Sequence, residues 1–147
     1  MTRRDLGDGF ELDDDKARID LREVHRYLCD ESYWAAGRPF EVQERLVREA
    51  ARVVGLYQGE RQVGFCRASS DGVSFAYLAD VYVLSELRGR GFGEALVREM
   101  IDHGPFAANR WLLHTTSMHP LYRKFGFSEP DYKLLERPRA SQASDSG

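Results

Sequence analysis

Apolar residues recur at helical spacing in three stretches of the chain and crowd at strand spacing in the stretches between them. Leu21, Val24 and Leu28 share one helical face, and Asp20 with Glu23 has the spacing of a capping box; together they predict a helix over 21–29. Gly37 and Pro39 mark a loop and a helix start. A second helix over 40–51 then places Val42, Leu46, Val47, Ala50 and Ala51 on its apolar side, with Arg45, Arg48 and Arg52 as a solvated face. After it the period shortens. VVGLY (53–57), the turn QGER and QVGFCRA (62–68) read as a β-hairpin, and VSFAYLADVYVL (73–84) as the longest β-rich run. A helix over 91–103 carries Ala95, Leu96, Met100 and Ile101 and stops at Gly104-Pro105. RWLLHT (110–115) reads as a buried strand, PLYRKF (120–125) as a short helix ended by Gly126, and YKLLER (132–137) as a last strand. With a short first strand at 9–12, the predicted order is β-α-α-β-β-β-α-β-α-β: an antiparallel meander followed by two β-α units, a mixed α/β (α+β) class.

Between the long strand and the third helix stands LRGRGFGEAL (87–96), with glycines at 89, 91 and 93 and arginines at 88 and 90. Strand, glycine turn and helix N-terminus together make an anion site. First-turn amides lack intrahelical partners, the helix dipole adds positive potential, and glycine lets the backbone come close. The dinucleotide fingerprint GxGxxG fails, because its last position is Glu94. A P-loop fails too, since the chain has no Gly-Lys pair. What remains is RxxGxG on Arg88, Gly91 and Gly93.

Composition narrows the class of guest. A net charge of −3 over 147 residues argues against a nucleic-acid partner, which usually meets a basic face. The two cysteines, Cys29 and Cys66, lack metal-ligand spacing and read as reduced thiols, so a metal site is not expected. No apolar run is long enough to span a membrane, and MTRRDLGDGFELDDDK has charge but no apolar leader core. A cytoplasmic protein is expected, with one domain over 1–137 and an unordered tail over 138–147.

DVYVLSELRGRGFGEALVREMI resembles the acetyl-coenzyme A signature of the GNAT superfamily of N-acetyltransferases, [RQ]xxGx[GA]. HTTSMHPLYRKFGF (114–127) is similar to that family's later segment, where a helix carries a tyrosine before a Gly-Phe pair. SYWAAGRPFE (32–41) further resembles a subgroup of small bacterial members. The resemblance implies the GNAT fold: a mixed, mostly antiparallel sheet flanked by about four helices, with a splayed strand pair holding acetyl-CoA.

It also implies roles for residues. The coenzyme's pyrophosphate would sit on the backbone of Arg88, Gly89, Arg90, Gly91, Phe92 and Gly93. Its pantetheine would lie along Val81 and Val83, with an amide near Tyr82 or Val83 polarising the thioester carbonyl. A primary amine, on a small molecule or an exposed protein site, would attack that thioester directly in a ternary complex. An amine of pKa ~10.4 must first lose a proton, so a base or water relay is required.

Tyr122 matches the family's general acid, and Asp80, a lone carboxylate in an apolar run, its base or amine ligand. Asp80 has an alternative: satisfaction by arginine or backbone. His119 is a further candidate base or a surface residue, and His114 a buried strand histidine. Tyr33 and Trp34 either wall the acceptor pocket or reach inward as core. Thr115 and Met118 replace the family's usual Asn and Ala; Thr115 can still bond the coenzyme. Ser117 stands where the subgroup has aspartate. The resemblance is compatible with a homodimer. Against the enzyme stands a second class, a GNAT-like module that binds acyl-CoA as a sensor without transferring it.

Overall fold

The computed structural model describes residues 2–139. The chain opens on a hairpin, β1 (Arg3–Gly7) antiparallel to β2 (Phe10–Asp13). The strand expected at 9–12 is β2; β1 is an addition. Its RRDLG sequence is largely polar and exposed, so no apolar alternation announces it. The turn is the better signal, because Gly7, Asp8 and Gly9 all adopt positive φ, the conformation that glycine and aspartate tolerate best.

Two helices follow, α1 (Leu21–Glu31) and α2 (Phe40–Glu49). The Asp20 carboxylate accepts the Glu23 amide at 3.1 Å, as a capping residue does. The reciprocal half of the box does not form. The Asp20 amide donates instead to Gln62 Oε1, and Glu23 holds Arg26.

β3 (Arg52–Gln58), β4 (Arg61–Ser70) and β5 (Phe75–Val83) form the expected meander. α3 (Phe92–Ile101) leads into β6 (Arg110–Leu112), and α4 (His119–Arg123) completes the described elements. The six strands lie in chain order, all neighbours antiparallel except the β5–β6 pair. Parallel neighbours need a crossover, and α3 provides it. The strand expected at 132–137 is not one. Its two leucines are adjacent and cannot share a strand face, and Leu134 and Leu135 are both exposed. The tail expected over 138–147 lies, from 140 onward, outside the described residues.

Strand alternation gives the sheet two buried faces. On one, Phe65 and Tyr82 meet Tyr27 of α1, with the Tyr27 and Tyr82 rings stacked 4.0 Å apart. On the other, Arg52 and Cys66 meet α3, whose Leu96, Val97 and Met100 are fully buried. A sheet covered on both sides needs apolar residues in both strand phases, which is why VVGLY and FAYLADVYV look continuous rather than alternating.

Arg52 corrects an expectation. It lies past the end of α2, at the start of β3, and is buried rather than solvated. Its guanidinium pairs with Asp14 and Glu99 and donates to the carbonyls of Glu99 and Met100, closing the C-terminal turn of α3. Arg52→Ala is expected to cost ~2 kcal/mol, since Arg4 still neutralises the buried Glu99. Urea denaturation checks the value.

Candidate functional site

The parallel ladder between β5 and β6 is short. It runs from Phe75↔Arg110 to Tyr77↔Leu112, and β5 then continues to Val83 without β6, paired only with β4. Where the two strands part, β5 also bulges against β4. Phe65 faces Tyr82 and Arg67 faces Ala79, leaving Asp80 and Val81 opposite Cys66 alone. Asp80 takes the strain of the bulge at φ 55°. Val81, Tyr82 and Val83 therefore lie along a strand edge that β6 leaves open. The Tyr82 ring is committed to Tyr27, so that residue offers the gap only backbone.

The glycine turn stands at the end of this edge. Gly89 and Gly91 sit at φ 81° and 83°, a region costly for residues with a Cβ, and Gly91 caps α3 without a side chain. Among the described residues, the amides of 89–94 donate to no protein acceptor, and the first bond of the helix is Ala95 N–H to Gly91 O. A Cβ built on Gly89, Gly91 or Gly93 would meet nothing within 4 Å, so open space lies over the turn. Arg88 donates to the Tyr27 hydroxyl at 2.7 Å, and Arg90 lies over the rings of Phe10 and Phe92. Neither arginine pairs with a carboxylate among the described residues, so both charges remain available to an anion.

α4 brings Tyr122 in on the α3 side of the sheet. Its ring is buried against Phe127, and its hydroxyl bonds to no described residue. Burial, with a smaller push from the Cys66 sulfur, raises its pKa to about 12. Thr115 uses its hydroxyl locally, accepting the amides of Ser117 and Met118. His119 is exposed at the start of α4. His114 was expected buried on a strand; it lies past β6, exposed, with its ring bonded to the Tyr77 hydroxyl. Because β6 ends after three residues, the chain leaves the sheet before His114 is reached.

On the opposite face Asp80 takes the satisfied alternative. Arg67 Nε donates to its carboxylate at 2.7 Å and Arg38 Nη1 at 3.0 Å, while Trp34 Nε1 bonds its other oxygen at 3.0 Å. Burial alone would raise its pKa, but the Arg67 and Arg38 charges outweigh it and hold the carboxyl below its usual range. A carboxylate so held is a poor proton acceptor. Trp34 is half-buried in this cluster, whereas Tyr33 is 70% exposed and bonds Thr116 beyond β6, so it is no core residue.

The sequence reading missed Arg38 and Arg67. A signal existed for Arg67: QVGFCRA and YLADVYV are successive β-rich runs, each with one charged intruder of opposite sign. Such intruders in neighbouring strands are expected to pair.

This combination of parted parallel strands, an unpartnered amide turn at a helix start and a meander in front defines an acetyltransferase architecture. The sequence profile of the Acetyltransferase (GNAT) family matches residues 20–127, and the chain belongs to that family. Among solved structures, a protein from Xanthomonas campestris pv. campestris assigned to the same family superimposes with a TM-score of 0.84 at 34% identity, covering 88% of this chain and 93% of that one. A Clostridium acetobutylicum protein assigned as an acetyltransferase, whose structure holds acetyl-CoA, shares the fold with a TM-score of 0.66 at 16% identity over 87% of this chain and 94% of that one. A Gibberella zeae relative named as an acetyltransferase is 37% identical over 78 residues, 51% of this chain. The match spans 43% of that relative's length. No described helix is long and apolar enough to cross a membrane.

Proposed function

We propose that the protein is an N-acetyltransferase that uses acetyl-CoA to acetylate a primary amine. The carrying observation is the open β5 edge that runs toward the unpartnered amides of 89–94, and an unbonded Tyr122 hydroxyl supports it. The residues present suit the coenzyme. A diphosphate is matched by free amides, positive φ glycines with open space above them and two uncompensated arginines. A linear amide-bearing arm is matched by a strand edge in need of hydrogen bonds.

When bound, acetyl-CoA supplies the thioester as acyl donor. The turn at 88–93 holds the diphosphate, and the backbone at Val81 and Val83 aligns the arm. Past the bulge at Asp80 the strand rejoins β4 on one side while its other side faces the edge that β6 leaves open, where an amide near Tyr82 or Val83 would polarise the carbonyl. Tyr122, protonated throughout the neutral range, donates its proton toward the departing sulfur. Asp80 does not serve as base; it fixes Arg38, Arg67 and Trp34. The amine's proton leaves by water.

Acetyl-CoA and coenzyme A are expected to raise Tm in a thermal-shift assay, while NAD and ATP do not. Thiol release with an amine panel then separates an enzyme from a sensor. Stabilisation by NAD or ATP alone would reject the reading.

A further inference from the structure

The Asp80 cluster is not neutral. Two guanidiniums share one carboxylate, which leaves one positive charge in a largely buried site. Arg67 spends Nε on Asp80, and its two terminal nitrogens bond to no described residue. They are not sealed in either: the sealed, unpartnered side-chain atoms among the described residues are Gln43 Nε2 and Tyr57 Oη. The Arg67 side chain is 11% exposed, so part of it reaches solvent. Tyr77, close enough to feel the charges of Arg67 and Asp80, turns its hydroxyl to His114. Trp34 closes the side toward the α1–α2 loop, and Tyr33 reaches across to Thr116.

The geometry points to Arg67 as the acceptor's anchor: the amine acetylated here carries a carboxylate, which docks on the free edge of the Arg67 guanidinium. The two nitrogens of that edge match a carboxylate in a bidentate pair, which a single ammonium could not offer. Charge selects among oxyanions. A monoanionic carboxylate brings the cluster to neutrality, whereas a phosphate dianion leaves surplus negative charge beside Asp80. The same positive field disfavours an ammonium and favours the uncharged amine, consistent with a site whose carboxylate is not free to act as base. This inference rests on the acetyltransferase reading.

The test compares α-amino acids with their decarboxylated amines, matched by side chain, and with phosphoethanolamine. Thiol release is followed for the native protein, Arg67→Met and Arg67→Lys, with acetyl-CoA thermal shift run alongside. Native kcat/KM is expected to favour the amino acid by about 30-fold, the worth of a charge-assisted bidentate contact. Both variants should lose most of that preference through KM. Arg67→Lys still neutralises Asp80, so it keeps the test alive if Arg67→Met misfolds. Preference for the decarboxylated amines or for phosphoethanolamine, turnover of neither class, or a preference intact in the variants would overturn the carboxylate anchor while acetyl-CoA stabilisation leaves the function standing. Absence of that stabilisation in the native protein rejects the function itself.

Discussion

Tyr122→Phe is expected to lower kcat by about 100-fold, at the low end of what a positioned general acid contributes. Coenzyme binding and stability should be nearly unchanged. The reason is specific to this structure. The hydroxyl bonds to no described residue, so its removal leaves no orphaned partner, while the ring keeps its place against Phe127. Single-turnover thiol release, with acetyl-CoA thermal shift as the control, reads both effects. Because the phenol titrates near pH 12, the native rate should show no basic limb from Tyr122 below about pH 10. Unchanged turnover in the variant would remove Tyr122 from the chemistry.

Asp80→Asn should destabilise the fold by ~3 kcal/mol, because it leaves two guanidiniums facing a neutral amide in a largely buried site. Asparagine isolates the charge: it tolerates the positive φ at this position as aspartate does, so backbone strain is not added. The pH dependence follows from the direction of the shift. Asp80 has a folded pKa depressed below the ordinary 3.8, so its contribution is present above that value and is lost as pH falls through the folded pKa. Native and variant proteins should therefore differ most in urea midpoint at neutral pH and converge in strong acid. A variant as stable as the native protein at pH 7 would show that solvent, rather than Asp80, compensates the two guanidiniums.

Much of the scaffold was legible because its signals are local. The helix at 21–29, the β-hairpin after 53 and the helix following the glycine turn stand within a few residues of their predicted bounds. Each owes its existence to a period, a cap or a breaker within a few positions. The errors share the opposite cause. β1 is polar and forms because β2 offers it an edge, YKLLER has strand-forming residues but no shared face, and Arg52 was assigned to a helix that ends before it. The site divides the same way. Arg88, Gly91 and Gly93 could be read from spacing, but Arg38 and Arg67 enter only through a contact between the α1–α2 loop and the bulged strands.

The sequence by itself determined the glycine turn at the start of α3, since conformational freedom, unpaired amides and fixed charge are properties of adjacent residues. It also determined that a lone carboxylate at 80 needed a partner or a raised pKa. Only the tertiary structure decided which partners it has. Electrostatic identity in a buried site is set by charges far apart in the chain, and two arginines, thirteen and forty-two residues away, hold Asp80 as an ion-paired carboxylate.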